Sequence, residues 1–437
     1  MASINFAKHY KRILNIAVPS GLNSLLDITN IVIGIFMVGK ISSYHIIAVG
    51  LGLNFFMLIY TITNIFFVGT SAQISRLFGR KDLYEIVNVL SSMFFGAIFA
   101  SIPIYFLANL SYSAYFEWIG TDETSKILGE IFINITLYGI PALIAKSILI
   151  SAFTSIGDTK TPFIIKIITS IINIALNYIL IFEVGLDIVG IALSNLFITH
   201  IELIILLALL ARKQSILKLK LFFDFKIFKK GINIGVPVGI ERGFTIISLI
   251  LISKFIAAYG SDYLAGFQIA TRIEAFAFMP SFGFMVASMA LSGYYLGENN
   301  AKKLRESTYT TIILASIFMG LMGFIMVVFG KYLSLFFSTK DSILYSSISY
   351  LTYVGLSQIP LVFIFVLDGA YRGAGATKIS LAINIISIWG LRILPMYICY
   401  KIKAPLVSIY IIILIETFIR GFIFFYVFKR YFHKIFI

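Results

Sequence analysis

Twelve long apolar stretches constrain the fold of this chain more than any other feature of its sequence. Each has at least the roughly 20 residues that an α-helix needs to cross the hydrocarbon core of a bilayer. The charged fraction of 13% and the hydrophobic fraction of 59% also exclude an ordinary soluble protein. We therefore predict an all-α integral membrane protein with twelve transmembrane helices. The stretches cover approximately residues 12–38, 45–75, 87–110, 127–154, 161–182, 188–211, 230–258, 263–295, 307–330, 343–371, 379–400 and 405–428.

The distribution of basic residues predicts the orientation of these helices. With a cytoplasmic N-terminus, 22 Lys and Arg residues fall on the cytoplasmic side and six on the opposite side. Such an excess marks the cytoplasmic face of a membrane protein, so we expect both termini in the cytoplasm and the chain in the plasma membrane, the inner membrane of a bacterium. The net charge of +15 thus reflects topology and does not indicate nucleic-acid binding.

An internal repeat divides the chain into halves, because equivalent residues recur 218 positions apart, as in Pro19 and Pro237. Each half holds six spans, and an even number returns the chain to the same side. The halves should therefore be two parallel six-helix lobes related by a pseudo-two-fold axis along the membrane normal. We place the lobes at 1–211 and 230–437, with a basic cytoplasmic linker at 212–229. That linker lies either on the anionic membrane surface or in solvent.

Several motifs carry a resemblance to a known family. In the first half they are Val38-Gly39-Lys40 and Ala48-Val49-Gly50-Leu51, then Gln73 with Gly79, and Gly157-Asp158-Thr159-Lys160. In the second half they are Ala265-Gly266-Phe267-Gln268, Phe278-Met279-Pro280 and Arg372-Gly373-Ala374-Gly375. Together they resemble the multidrug and toxic compound extrusion (MATE) family of the multidrug/oligosaccharidyl-lipid/polysaccharide exporter superfamily. The resemblance implies a secondary transporter, expected as a monomer, that exports organic cations in exchange for Na+ or H+ and needs no other cofactor.

Six acids lie inside the predicted spans, where a charge costs roughly 2.5–3.5 kcal/mol and therefore needs a function or a partner. Glu416 precedes Arg420 by four residues and is expected to form an ion pair with it. Glu202 lies near the cytoplasmic end of helix six and is expected to reach the interface. The other four acids are candidates for transport: Asp27, Glu241, Glu274 and Asp368.

Asp27 is the candidate for ion coupling in the first half, since no basic residue lies three or four positions away. A buried carboxylate without a fixed cation is either protonated or bound to a mobile cation, and an antiporter must alternate between these states. Oxygen ligands suit sodium, so we predict a possible Na+ site of Asp27, Asn173 and Asn177. Ser194 and Asn195 on helix six are further candidate ligands or hydrogen-bond partners.

The sequence departs from the family pattern at this site. The family's helix-one acid commonly lies five residues before the glycine that closes the helix, and that position is Gly34 here. Asp27 lies seven residues earlier, displaced by about 10 Å along the helix. The identity of the coupling ion therefore cannot be carried over from the family.

In the second half we expect a cavity cluster of Glu241, Gln268, Arg272, Glu274 and Asp368, if helices seven, eight and ten face one another. An alternative for Asp368 is a local pair with Arg372, four residues later. Lys146 and Arg392 also lie within spans, and the sequence does not say which acids they would face. Pro19 is the predicted hinge of helix one, because a proline removes one backbone hydrogen bond.

Other classes of protein fit less well. The four histidines are scattered, so the nucleophile, base or metal constellation of an enzyme is not expected, and no Gly-x-x-x-x-Gly-Lys-Ser/Thr motif for ATP occurs. We therefore expect no enzyme. The serious alternatives are a lipid-linked oligosaccharide flippase or a narrow-specificity metabolite exporter of the same superfamily. A flippase predicts a strongly cationic cavity, whereas the intramembrane acids and bases number six and seven.

Overall fold

A computed structural model describes residues 6–211 and 216–436 of the chain, and all regular elements of this part are helical. The helices are α1 (Phe6–Gly39), α2 (Ser43–Arg80), α3 (Leu83–Ile119), α4 (Glu123–Leu137), α5 (Ile140–Ser155), α6 (Lys160–Tyr178), α7 (Asp187–Leu210), α8 (Phe225–Ala257), α9 (Ser261–Gly297), α10 (Ala301–Leu335), α11 (Asp341–Leu356), α12 (Gln358–Gly373), α13 (Thr377–Ile385), α14 (Leu394–Lys401), α15 (Leu406–Arg430) and α16 (Phe432–Phe436). Wider π-helical turns follow α6, at Ile179–Glu183, and join α13 to α14, at Ile386–Ile393.

The described helices account for the twelve predicted spans. Ten continuous helical segments are long and apolar enough to cross a membrane, when α6 is counted with its π-helical turn and α13 to α14 as one segment, and two further spans are bent pairs of shorter helices. The α4–α5 pair bends by 54° and the α11–α12 pair by 57°. Pro141 stands at the start of α5, where its missing N–H leaves no intrahelical bond unmade. The predicted all-helical fold with twelve spans is therefore confirmed.

The internal repeat is visible in the backbone as well as in the side chains. Lys81 and Asn299, 218 positions apart, both take the left-handed conformation, with φ of 61° and 57°. The residues that follow them, Asp82 and Asn300, both cap the next helix by accepting a hydrogen bond from a backbone N–H. The two halves therefore share the turns between their helices, and not only the apolar pattern.

The described residues form two compact units, and two of the helices, α1 and α8, each contribute to both. One unit runs from Leu22 to Val236, and the other combines the residues up to Gly21 with those from Pro237 onward. The chain thus passes from one unit to the other inside α1, just after Pro19, and inside α8, just before Pro237. The units differ from the lobe boundaries predicted at 211 and 230, because α1 and α8 each contribute to both units.

Glycine lets helices approach closely within each unit. A Cβ atom on Gly235 of α8 would lie 2.0 Å from the carbonyl oxygen of Ile65 in α2. In the other unit, a Cβ atom on Gly283 of α9 would lie 2.1 Å from the carbonyl oxygen of Ala17 in α1. Such backbone contact between membrane helices requires small residues. Ala17 and Gly235 are repeat equivalents, as are Ile65 and Gly283, so both units use the same crossing.

The described part of the predicted linker, from Ile216 onward, is held against α3. The backbone N–H of Lys220 donates to Ser91 Oγ at 3.0 Å, and that of Asp224 donates to Ser92 Oγ at the same distance. Helix α8 already begins at Phe225, within the predicted linker. Residues 212–215, which carry two of its basic side chains, lie outside the described residues.

Candidate functional site

A polar stripe runs along α6, in the unit that extends from Leu22 to Val236. Helical spacing places its members on one face, where they meet side chains of α1 and α7. The stripe divides into a charged group toward the start of α6 and an amide group further along. Its residues are Lys166, Thr169, Ser170, Asn173 and Asn177.

Asp27 of α1 contacts the charged part of this stripe. Lys166 Nζ lies 2.6 Å from Asp27 Oδ1, and the Asp27 side chain is 52% exposed. The expectation that Asp27 has no fixed cation is therefore wrong. It failed because the partner lies on another helix, which a search of neighbouring positions along α1 cannot find.

Glu202 of α7 accepts from three groups at once. Its carboxylate pairs with Lys146 of α5, lies 3.3 Å from Lys166 Nζ, and accepts a hydrogen bond from Thr169 Oγ1 at 2.8 Å. The residue is 4% exposed, so the prediction that it reaches the interface is wrong. Two lysines compensate the charge that burial would otherwise penalise. The structure thus joins Asp27, Lys166, Glu202 and Lys146 into one ion-pair chain.

The predicted amide group forms, but apart from Asp27. Asn173 Nδ2 donates to Ser194 Oγ at 3.1 Å and to Asn195 Oδ1 at 3.3 Å, while Asn177 Nδ2 donates to Asn173 Oδ1 at 3.2 Å. Among the described residues, no hydrogen bond joins Asp27 to Asn173 or Asn177. Asn30, one turn after Asp27, binds Ser170 Oγ at 2.8 Å between the two groups.

The position at which the family commonly has an acid faces an apolar side chain. A Cβ atom on Gly34 would lie 3.0 Å from Ile191 Cδ1 of α7. A carboxylate there would require Ile191 to move. Asp27, two turns nearer the start of α1, is the one acid in the sequence of that helix.

Glu241, Asp368 and Arg372 come together in the other unit. Arg372 Nη2 lies 2.6 Å from Asp368 Oδ2 and 3.2 Å from Glu241 Oε1. The alternative predicted for Asp368, a pair with Arg372, is confirmed, and Glu241 joins that pair. Ser380 donates a further hydrogen bond to Asp368, and Asn384 donates to Glu241 at 2.9 Å.

The predicted pair of Glu416 and Arg420 is also present, with Arg420 Nε 3.1 Å from Glu416 Oε1. Arg392 Nε donates to the other oxygen of Glu416 at 3.0 Å, which identifies the partner of that intramembrane base. Glu416 is fully buried, and the two arginines compensate its charge. Arg420 reaches Asn384 at 3.4 Å and so links this pair to Glu241.

Three members of the predicted cavity cluster make no ion pair or side-chain hydrogen bond with Glu241 or Asp368 within the described part of the chain. Glu274 accepts a hydrogen bond from Tyr350 at 2.7 Å, whereas Gln268 and Arg272 are exposed. Arg272 forms no ion pair with any described residue. The five residues therefore do not form one bonded cluster, and their place at a shared cavity remains a prediction; α9 buries small residues, such as Gly266 and Ala270, and leaves Gln268 and Arg272 exposed.

Sequence reasoning missed Lys166 and Asn384, although a signal was available. These two residues are repeat equivalents, and so are Glu202 and Arg420. Lys166 and Asn384 play the same part in their halves. Each contacts an acid on the first helix of its half and also the charged residue that follows it by 36 positions. A comparison of the halves by position finds polar or charged residues inside predicted spans at both pairs of positions. The charge at the last position is reversed, so the halves are chemically distinct.

Within the described part of the chain, no group of three or more His, Cys, Asp or Glu side chains could hold a metal ion. The acids around Lys166 and Arg372 are instead paired with these bases.

The MatE family model matches residues 19–179 and 237–398, one match in each half. The chain belongs to the MatE family. This confirms the resemblance given by the sequence motifs and identifies the chain as a multi-pass membrane protein of a transporter family.

Known relatives of this MatE chain match it over most of their length. The probable multidrug resistance protein NorM of Thermotoga maritima is 23% identical over 399 residues, which are 90% of this chain and 86% of that protein. The multidrug export protein MepA of Staphylococcus haemolyticus is 24% identical over 390 residues, or 85% and 84% of the two chains.

A solved MOP superfamily transporter from Pyrococcus furiosus shares the fold of this MatE chain. Its TM-score is 0.90 at 19% identity, and the match covers 98% of this chain and 97% of that one.

Proposed function

We propose that this chain is a secondary active exporter of cationic, amphipathic organic compounds, which it exchanges for Na+ or H+ by alternating access. Relatives named for multidrug resistance and multidrug export support this substrate class. The excess of basic residues at the predicted cytoplasmic loops supports a place in the plasma membrane, the inner membrane of a bacterium, with both termini in the cytoplasm. The transporter works as a monomer.

The observation that carries the proposal is the position of Asp27 at the exposed end of an ion-pair chain. The Asp27 side chain is 52% exposed, whereas that of Glu202 is 5% exposed. Lys166 is the single ion-pair or hydrogen-bond partner that the described residues give to the Asp27 carboxylate. In the proposed exchange, a driving ion and a substrate cation reach one negative group in turn, and we assign this role to Asp27 because its side chain is half exposed.

The proline of helix one supports a role for α1 in the conformational change. Pro19 removes one backbone hydrogen bond, and α1 passes from one compact unit to the other just after it. Bending at this point would let the two ends of α1 follow different units. In the second unit, Glu241 and Asp368 are the acids that we assign to substrate contact.

The test is movement of a cationic dye in proteoliposomes that contain the purified protein, with a sodium gradient or a proton gradient imposed separately. We expect one gradient to drive the dye, and we expect Asp27→Asn to abolish this movement while the protein still folds. Asp262→Asn is the matched control, since Asp262 also pairs with a lysine, Lys340, at 2.8 Å but lies in the other unit. Its transport should match the wild type.

The two gradients also identify the coupling ion. Undiminished dye transport by Asp27→Asn would refute the role of that carboxylate. Absence of gradient-driven movement for every cationic dye would refute the proposed function and favour the lipid-linked flippase or the narrow metabolite exporter.

A further inference from the structure

Lys166 lies between two carboxylates of very different accessibility. Its Nζ atom is 2.6 Å from Asp27 Oδ1 and 3.3 Å from Glu202 Oε1, and its side chain is 15% exposed. A lysine ammonium sits on a flexible four-carbon stem and carries three donors. A small movement of Nζ therefore transfers the ammonium from one carboxylate to the other without leaving it unpaired.

The two carboxylates depend on Lys166 to different degrees. Glu202 keeps Lys146 and Thr169 as partners whether or not Lys166 is near. Asp27 keeps no other partner among the described residues. Glu202 therefore keeps partners in both positions of the Lys166 ammonium. Asp27 is the carboxylate that gains or loses its partner.

We propose that Lys166 determines the substrate specificity of the exporter by acting as an internal cation at Asp27. Its ammonium occupies Asp27 when no organic cation is bound, and it passes to Glu202 when the charge of a substrate takes its place. This inference rests on the proposed function, and it names the competitor that a substrate must displace.

The competition selects a chemical class of substrate. A compound must carry a positive charge that approaches the Asp27 carboxylate closely enough to replace an ammonium at 2.6 Å. Neutral and anionic amphipathic compounds offer no such charge and leave Lys166 on Asp27. A permanent cation such as tetraphenylphosphonium is a suitable probe, because its charge does not vary with pH.

The experiment is equilibrium binding of tetraphenylphosphonium to the purified full-length protein in detergent, measured by calorimetry. Lys166→Gln should bind the probe about two- to fivefold more tightly than the wild type, the range expected for loss of a half-exposed ion pair. The variant should fold, because Glu202 retains Lys146 and Asp27 is half exposed. Lys166→Arg keeps the internal cation and should bind with wild-type affinity.

Two controls separate displacement from a general charge effect. Lys160→Gln removes the same charge from the exposed start of the same helix, and its affinity should equal that of the wild type. Asp27→Asn should weaken binding, and adding Lys166→Gln to it should give no gain in affinity. Equal tightening in Lys160→Gln, or a gain that persists without Asp27, would overturn the inference.

Failure of this inference and failure of the proposed function are distinguishable, since binding needs no gradient. If the wild type shows gradient-driven export but Lys166→Gln binds with unchanged affinity, only the role of Lys166 is rejected and the proposed function stands. Tighter binding by Lys166→Gln without gradient-driven export rejects antiport and leaves the competition at Asp27 intact.

Discussion

Replacement of Glu202 by glutamine is expected to lower the free energy of unfolding by about 3–5 kcal/mol, the range measured when one member of a buried ion pair is removed. Glu202 is 4% exposed and compensates Lys146 and Lys166. Glutamine keeps the size of the side chain but loses its charge, and it replaces one of the two acceptor oxygens by an NH2 group that can only donate. Lys146 then stays buried without an acid. Denaturant unfolding or the midpoint of thermal unfolding in detergent measures the loss.

Glu298→Gln is the matched control for this prediction. Glu298 pairs with Lys303 at 3.3 Å, but both side chains are partly exposed, so the expected loss is at most about 1 kcal/mol. A double variant, Lys146→Met with Glu202→Leu, should recover part of the stability, because it removes both charges and leaves Lys166 on Asp27. The prediction fails if Glu202→Gln and Glu298→Gln unfold at the same temperature.

The second large effect is expected for Gly235→Ala, which should destabilise the protein. Overpacking typically costs about 1–3 kcal/mol, and we expect a loss in the upper part of this range. The new Cβ atom would lie 2.0 Å from the carbonyl oxygen of Ile65. The carbonyl oxygen belongs to the backbone of α2, and the position of the Cβ atom is fixed by the backbone of α8. No side-chain rotation therefore relieves the clash. Helices α2 and α8 must separate, and the thermal unfolding midpoint should fall accordingly.

Gly243→Ala, on the same helix, tests whether this loss comes from the helix crossing. No heavy atom lies within 4 Å of a Cβ atom at Gly243. Alanine there should be neutral or stabilise the helix by about 0.5–1 kcal/mol, since glycine loses more backbone freedom on folding. Equal destabilisation at both positions would show that the helix, and not its contact with α2, determines the effect.

The fold was largely predictable because its signals are local or periodic. The apolar stretches predict the spans, and the constant offset of 218 predicts that the halves share their turns, as Lys81 and Asn299 do. The bends inside the fourth and tenth spans were not predicted, because an apolar stretch has the same composition whether its helix is straight or bent. The exchange of α1 and α8 between units was not predicted either, since it depends on tertiary packing.

Some ion pairs were likewise predictable from the sequence and others were not. The pairs of Asp368 with Arg372 and of Glu416 with Arg420 were accessible from the sequence, because four residues of separation place two side chains on one helix face. The pair of Asp27 with Lys166 joins positions on α1 and α6 and requires the helix neighbours to be known. The functional roles of Asp27 and of the amide group around Asn173 remain predictions.

The division of α1 between two compact units has a consequence for biosynthesis. Residues 22–236 form a continuous segment, so the unit they build can assemble as soon as α8 has begun to leave the ribosome. Residues 6–21 are made before that segment, yet they pack with residues from Pro237 onward. Their contacts have a very large sequence separation, which slows folding. The first turns of α1 can therefore reach their packed position only after the second half has been translated, and a chain cut short after α8 would lack the residues with which these turns pack.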